Sequence, residues 1–395
     1  MNVYADNAAT TKMSEAAVHA MIPFLSGAYG NPSSIHRAGR AARGLIEQGR
    51  KVFAKYLNAS PEEILFTSSG SEANNQVIKS VAGAFGAGQF ISTGIEHHSV
   101  INPLLELENS GRKVTFLEVS CDGEVSPEAV REAITPQTAL VSVMFANNEI
   151  GTVQPVEQIG EICRKRGVLF HVDAVQAAGH MEVDVKRIKA DYISISAHKF
   201  NGPKGAGILY HRTGAPLSPL ICGGGQESGF RAGTENVAGI MGAATAFENS
   251  CLSMAAEAEY ISAIRSRVER EIKTIPGTCI FAEKAKRRLP GIVNVAFQNV
   301  PGEMLVHLLD EKGVFVSSRA ACSSGGKIGS HVLRAIGVSE EYSADGVRIS
   351  LSGDNTEAEV EYLISTLKTA VEQARACFPK LGAVDIWSAG RENRT

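Results

Sequence analysis

DYISISAHKFNGPKG, residues 191–205, decides how the rest of the chain is read. DYISIS has the composition of a strand, and it runs straight into His198 and Lys199, where the chain turns through Gly202, Pro203 and Gly205. The end of a buried strand is an uncommon place for a solvated surface charge. Desolvation there lowers the pKa of an ammonium group and makes the neutral amine accessible, the form that attacks an aldehyde carbon. Lys199 is therefore expected to have a chemical task.

Runs of the same character lie on either side: EILF (63–66), FIST (90–93), ALVSVMF (139–145), VLFHVDA (168–174) and GILYH (207–211). Helix-like stretches separate them, such as PVEQIGEICRKRG (155–167), with Ile159 and Ile162 on one face and a basic last turn. Near-continuous apolar strands alternating with helices predict an α/β fold with a mostly parallel central sheet flanked by helices. After about residue 260 the pattern changes. GIVNVAFQNV (291–300), GVFVSS (313–318) and GVRISLS (346–352) alternate with helices and end in TEAEVEYLISTLKTAVEQARA (356–376). That helix opens with a capping box from Thr356 to Glu359. The expected division is a large domain over 15–260, a smaller α/β domain formed by 1–14 and 261–378, and a polar tail, 379–395.

A chain of 395 residues exceeds the usual size of one domain, consistent with that division. The formal net charge of −3 gives no support for a nucleic-acid or membrane surface. The first residues, MNVYADNAATTK, lack a basic and then apolar leader, and no apolar run approaches the ~20 residues that span a bilayer. Seven scattered cysteines with no C-x-x-C pair argue for free thiols in a reducing, cytoplasmic setting. The ten histidines form no metal-ligand spacing, so no protein-built metal site is expected.

In an open α/β sheet, ligands gather beyond the carboxyl ends of the strands. Four loops here occupy such ends. EILFTSSGSEANN (63–75) runs a strand through Ser68, Ser69, Gly70 and Ser71 into a helix near Glu72, an arrangement suited to a phosphate. LFHVDAVQAAG (169–179) ends a strand on Asp173, with Gln176 three residues on; a carboxylate there needs a cationic partner. TGIEHHSV (93–100) places adjacent histidines after a strand, and the fourth loop carries Lys199. Singly, each of the first three is as well explained by a cap, a salt bridge or a structural histidine. Together they offer a phosphate cradle, a carboxylate, a flat imidazole and an amine, the set that pyridoxal 5'-phosphate requires.

At this point the chain resembles the cysteine desulfurases of the class V aminotransferase superfamily. Within them it is similar to the group I branch, which serves nitrogenase maturation and iron–sulfur cluster assembly and has the large and small domains of fold type I. The resemblance runs through YADNAATT (4–11), NPSSIHRAGR (31–40), TSSGSEANN, IEHHSV, NNEIGTVQP (147–155), HVDAVQ, SAHKFNGPKG, GGGQESGFRAGTEN (223–236), SSRAACSSGG (317–326) and VRISLS (347–352). Ten ordered blocks are far more specific than any one of them.

By position, the resemblance implies that Lys199 carries the cofactor's aldehyde and that Asp173 pairs with the ring nitrogen. Gln176 would face the phenolic oxygen, Asn148 would lie beside ring and substrate, and His97 would stack on the ring and move protons. Gly70, Ser71, Ser196 and His198 would hold the phosphate, joined by Thr234 of a neighbouring subunit in a homodimer. Arg348 would hold the carboxylate of L-cysteine. Cys322 would take the sulfur as a persulfide, leaving L-alanine, and deliver it to an acceptor protein such as an iron–sulfur scaffold or a tRNA-thiolation enzyme. Its surroundings, Ala320 to Gly326, are too small and flexible in composition for a packed element, so the thiol is expected to move. The chain departs from the usual pattern at Arg319, at Ser228 and in GGKIGSH (325–331); these positions bear on partner choice and loop dynamics. The other readings open at this point are an aminotransferase, a selenocysteine or cysteine sulfinate lyase, and a scaffold that keeps the fold without the reaction.

Overall fold

A computed structural model describes residues 1–318 and 329–377. Arg319, Cys322 and the tail lie outside the described residues. The chain begins with β1 (Val3–Tyr4), α1 (Glu15–Ser26) and α2 (Arg37–Leu57). It continues through β2 (Ile64–Thr67), α3 (Gly70–Ala84), β3 (Gln89–Thr93), α4 (His98–Asn109), β4 (Val114–Leu117), α5 (Pro127–Ala133) and β5 (Thr138–Met144). Next come α6 (Val156–Arg166), β6 (Leu169–Asp173), α7 (Val185–Ile188), β7 (Tyr192–Ser196) and β8 (Gly207–His211). A long helix, α8 (Val237–Ile272), leads to β9 (Thr278–Ile280), β10 (Ile292–Phe297) and α9 (Gly302–Asp310). The remaining elements are β11 (Val314–Phe315), β12 (Ser317–Ser318), α10 (His331–Ala335), α11 (Glu340–Ser343), β13 (Val347–Ser350) and α12 (Glu357–Cys377).

Seven strands form the main sheet in the order β2-β8-β7-β6-β5-β3-β4. The pairs β3/β4, β3/β5, β5/β6 and β6/β7 are parallel, and β8 alone runs against both its neighbours. Every residue of β5 and β7 is buried, as expected for strands covered by helices on both faces. Phe90, Phe170 and Tyr192 are among the largest fully buried side chains; burial of one such side chain stabilises the fold by roughly 1.5–3 kcal/mol. The direction of the strands fixes the site: β2, β3, β5, β6 and β7 all finish on one edge.

α8 ties this body to a second core. Its first half packs on α2, where the Phe53 and Phe247 rings stack at 4.8 Å and Gly49 leaves room for Ile240, whose Cγ2 would lie 2.8 Å from an added Cβ. Its second half sends Ile261, Ile264, Val268 and Ile272 among Val293, Val295, Leu305, Ile349, Leu363 and Leu367. A four-stranded antiparallel sheet, β12-β13-β10-β9, backs that core. β1 returns the N-terminus to it, pairing Val3 with Val314. The capping box is present: Thr356 N–H donates to Glu359 Oε2 at 2.8 Å, and Glu359 N–H to Thr356 Oγ1 at 3.3 Å.

Two details differ from the sequence expectation. GVFVSS, read as one strand, is two: β11 pairs with β1, then the chain passes Val316 and β12 pairs with β13. The helix expected near Glu72 starts at Gly70, because Ser69 caps it, accepting from Glu72 N–H at 3.1 Å.

Candidate active site

Asp173 is the last residue of β6 and is buried. Its Oδ2 accepts from Asn74 Nδ2 at 2.8 Å and its Oδ1 from Val175 N–H at 3.0 Å. Both donors are neutral. Burial pushes the Asp173 pKa above the usual carboxylate range, against these two hydrogen bonds and the charge of Lys199. The same Asn74 amide also donates to Ser99 Oγ at 2.8 Å, and Ser99 Oγ lies 2.8 Å from His97 Nδ1. A line of hydrogen bonds thus joins Asp173 to His97, the N-cap of α4. Ser99 N–H also donates to His97 Nδ1 at 3.1 Å. A backbone N–H can only donate, so Nδ1 is the acceptor and neutral His97 carries its proton on Nε2. The ring is exposed.

Lys199 closes a 3-10 turn, Ala197–Lys199, directly after β7. It is half-buried, and Nζ donates to the carbonyls of Ala8 at 2.6 Å and Ala9 at 2.8 Å. Gln176 Nε2 donates to the same Ala8 carbonyl at 2.9 Å. His198 Nδ1 meets Thr10 Oγ1 at 3.1 Å; burial, with Lys199 and Lys204 beside it, pushes its pKa down to about 4 and keeps it neutral at pH 7. From behind, His180 Nε2 donates to the Lys199 carbonyl at 2.8 Å. Residues 5–11 are thus a floor under the amine.

The same floor reaches Arg348 in β13. Arg348 Nη2 pairs with Asp6 Oδ1 at 2.7 Å and Nη1 donates to the Asn148 carbonyl at 2.9 Å. Its Nε is buried and has no hydrogen-bond partner among the described residues. Ala8 N–H donates to Ser350 Oγ at 2.9 Å, so one short stretch stitches the lysine to the arginine.

At the start of α3, Gly70 packs against the ends of β6 and β7. A Cβ there would lie 2.4 Å from Val175 Cγ2 and 3.5 Å from Ser196 Cβ. The first-turn N–H groups of α3, those of Gly70 and Ser71 included, have no acceptor within the helix, which makes this end receptive to a phosphate. Glu72 is held away from it, accepting from Ser68 N–H at 2.8 Å and from Arg231 Nε at 3.0 Å. Ser196 is buried beside Gly70, and Ser71 is exposed. Thr234 is exposed in the loop that Arg231 ties to Glu72; among the described residues no hydrogen bond of a single chain joins it to the cluster. A cavity of about 420 Å³ lies behind the floor, between Asn7, Ala8, His180, Asn249, Glu257 and Ser350. It includes neither Lys199, Asp173 nor Arg348, so the strand ends, rather than this cavity, define the site.

The donor set fits pyridoxal 5'-phosphate. A buried carboxylate whose partners are neutral is completed by a protonated ring nitrogen, a half-buried amine by an aldehyde, and an open helix start by a phosphate. Sequence reasoning missed Asn74, Ser99, Glu96 and Asp6, although each lies in a quoted block. The signal for Asn74 was its place one helical turn after Gly70. Burial pushes the thiols of Cys163 and Cys251 up to about 12, so both stay protonated and inert.

The model of the aminotransferase class-V family matches residues 3–363. Cysteine desulfurase IscS of Clostridium botulinum (strain Hall) is 44% identical over 381 residues, 95% of this chain and 96% of that protein. The chain belongs to the cysteine desulfurases of the class V aminotransferase family. Among solved structures, a NifS-like protein superposes on this desulfurase fold with a TM-score of 0.89 at 39% identity, covering 94% of the chain and 100% of its own. The structure of SspA in complex with cysteine matches with a TM-score of 0.79 at 35% identity, covering 90% of the chain and 100% of its own. Among the described residues no helix is long and apolar enough to cross a membrane, and no three His, Cys, Asp or Glu side chains are grouped to hold a metal ion.

Proposed function

We propose that this desulfurase converts L-cysteine to L-alanine with pyridoxal 5'-phosphate at the strand ends, passing the sulfur to Cys322 and from there to an acceptor protein. The bound cofactor supplies an electrophilic carbon for the substrate amine and a ring that withdraws electrons from the α-carbon. Asp173 would hold the ring nitrogen protonated, Gln176 would face the phenolic oxygen, and Asn148 would lie beside the ring. Gly70, Ser71, Ser196 and His198 hold the phosphate together with Thr234 from a second copy of the chain, which makes the working unit a homodimer. Arg348 exchanges Asp6 for the substrate carboxylate. Lys199 Nζ would take the α-proton of the substrate, and His97 would move a proton at Nε2. Cys322 thiolate attacks the substrate sulfur; an S–S bond forms, the carbon–sulfur bond breaks, and the carbon fragment is protonated to alanine. The division into a body over 15–260 and a smaller unit over 1–14 and 261–378, and a cytoplasmic setting with an iron–sulfur scaffold or tRNA-thiolation enzyme as acceptor, belong to the same reading.

The observation that carries this proposal is Asp173: a buried carboxylate whose hydrogen-bond donors among the described residues are neutral, wired through Asn74 and Ser99 to His97. SspA, a relative whose structure contains cysteine, supports the choice of substrate. The test is incubation with L-cysteine, with alanine and the mass of the Cys322 peptide as readouts. A gain of roughly 32 Da on that peptide is expected, lost in Cys322→Ala while cofactor absorbance persists. Lys199→Ala is expected to abolish alanine formation. Alanine formation undiminished in Cys322→Ala would refute the route through Cys322 and favour a lyase that releases sulfur without an enzyme thiol, whereas conversion of L-cysteine to a keto acid with its sulfur retained would favour an aminotransferase.

A further inference from the structure

The stretch that contains Cys322 leaves β12 and is received again at Gly329. The entry meets a residue that handles substrate in the reading above, and the exit meets the chain neighbours of two others, Asn148 and His97. At the entry, Ser317 pairs with Arg348 across β12 and β13. At the exit, Gly329 lies so close to the neighbouring backbone that an added Cβ would fall 2.7 Å from Ala344 N, and Ser330 N–H donates to the Ser343 carbonyl at 2.9 Å. The next two side chains reach across to the main body. Ser330 Oγ donates to Glu149 Oε2 at 2.6 Å, and His331 Nε2 donates to the Glu96 carbonyl at 2.9 Å, beside His97. The His331 ring also lies 4.7 Å from that of His98.

Glu149 is the unexpected member. Its side chain is buried and follows Asn148, whose carbonyl holds Arg348. Its backbone is fixed on both sides: Asn147 Oδ1 accepts from Glu149 N–H at 2.8 Å, and the Glu149 carbonyl accepts from Asn294 Nδ2 at 3.2 Å. Ser330 already caps α10 by accepting from Leu333 N–H at 3.1 Å, so the helix start does not need the carboxylate. A buried carboxylate costs desolvation that an apolar contact would avoid. Its benefit is geometric, since a short charge-assisted hydrogen bond fixes its partner better than packing does.

We propose that Glu149 is a positioning residue for sulfur transfer: by holding the Ser330 hydroxyl it fixes the exit of the Cys322-bearing stretch against the loop that carries Asn148. This rests on the reading of Cys322 as the sulfur acceptor.

The test compares holoenzymes of the wild type, Glu149→Ala, Ser330→Ala, the double variant and Glu149→Gln. The readouts are kcat and KM for L-cysteine, bound cofactor, and the rate at which the Cys322 peptide gains sulfur. Each alanine variant is expected to lose about tenfold in kcat and in sulfur gain, the size of one charge-assisted hydrogen bond, with KM and bound cofactor within about twofold. Glu149→Gln keeps an acceptor for the hydroxyl and is expected to retain most of the rate. The double variant should be no slower than the worse single one, because both remove the same bond. Losses that multiply in the double variant, or a KM or cofactor defect as large as the kcat defect, would overturn the assignment. Should Ser330→Ala fail to fold, Ser330→Asp keeps the cap but sets carboxylate against carboxylate. Its defect is expected to be relieved by adding Glu149→Gln, and no relief would count against the assignment. Failure of the wild type to form alanine and label Cys322 would instead sink the desulfurase reading, and this inference with it.

Discussion

Glu96→Gln is a test of how the site's buried charge is carried. Glu96 precedes His97, is fully buried, and accepts from Thr93 Oγ1 at 2.7 Å and Met144 N–H at 3.0 Å through Oε1. Oε2 has no hydrogen-bond partner among the described residues. Burial pushes the pKa from 4.5 to about 8, with the neighbouring Asp173 adding to it and the two hydrogen bonds opposing it. Between those values the folded state holds a proton that the unfolded chain has released. The contribution of Glu96 to stability is therefore fully present below pH 4.5, falls as pH rises, and is gone above about pH 8. One pKa unit is worth about 1.4 kcal/mol, so the whole window amounts to roughly 5 kcal/mol. Glutamine keeps the Oε1 acceptor and does not titrate. The wild type should thus lose ground to Glu96→Gln steadily between pH 5 and pH 8.5. For a chain of 395 residues the unfolding entropy is about 0.8 kcal/mol per kelvin, so the gap in Tm should widen by about 5 °C. Thermal unfolding of both holoproteins at saturating cofactor, in half-unit pH steps, measures it. Groups that do not interact with Glu96 titrate alike in the two proteins and cancel. A Tm gap that stays constant across the window would refute the assignment of a protonated Glu96 at neutral pH.

Two further predictions concern substrate and cofactor. Arg348→Lys removes a planar fork that spans Asp6 and the Asn148 carbonyl. It is expected to raise KM for L-cysteine by about 10–100-fold with a smaller change in kcat, the mark of a lost carboxylate contact; an unchanged KM would remove Arg348 from substrate binding. Gly70→Val puts carbon against Val175 Cγ2, overpacking that costs roughly 1–3 kcal/mol at the phosphate cradle. Cofactor affinity is expected to fall severalfold and to be regained in Gly70→Val/Val175→Ala, read by titrating the visible absorbance; a defect untouched by the second change would mean that the glycine acts elsewhere.

The sheet was legible because its strands are buried on both faces and so read as apolar runs with sharp ends: GILYH at 207–211 is β8 to the residue. β4 escaped because it is an edge strand of half-buried residues, VTFL, with no such run. α8 escaped for a different reason. Its first half packs through Ala243, Ala244 and Ala246, and small residues carry little hydrophobic periodicity. At the candidate site, Asp173 and Lys199 could be picked out by chemistry at a strand end, and the structure places both there. Asn74 and Glu149 could not, because their partners come from far along the chain: Asp173 for one, Ser330 for the other. Pairing across 99 and 181 residues leaves no mark on local pattern.

The N-terminal floor explains how the Lys199 amine and the Arg348 guanidinium could work together in the proposed reaction although they sit on different sheets. Lys199 follows β7 of the main sheet, whereas Arg348 lies in β13 of the small one. Residues 5–11 touch both: Ala8 receives Lys199 Nζ and donates to Ser350, and Asp6 holds Arg348. A displacement of one sheet relative to the other must therefore break or drag a stretch held from both sides. The spacing between amine and guanidinium is then set by seven residues of backbone rather than by the long route through α8. Asp6 adds a second function to that stretch. Paired with Arg348, it neutralises a buried cation, and a substrate carboxylate can replace it with no net change in charge at the guanidinium. In the proposed role of Arg348, this substitution of one carboxylate for another would let the arginine stay buried throughout, where the low dielectric strengthens a charge pair.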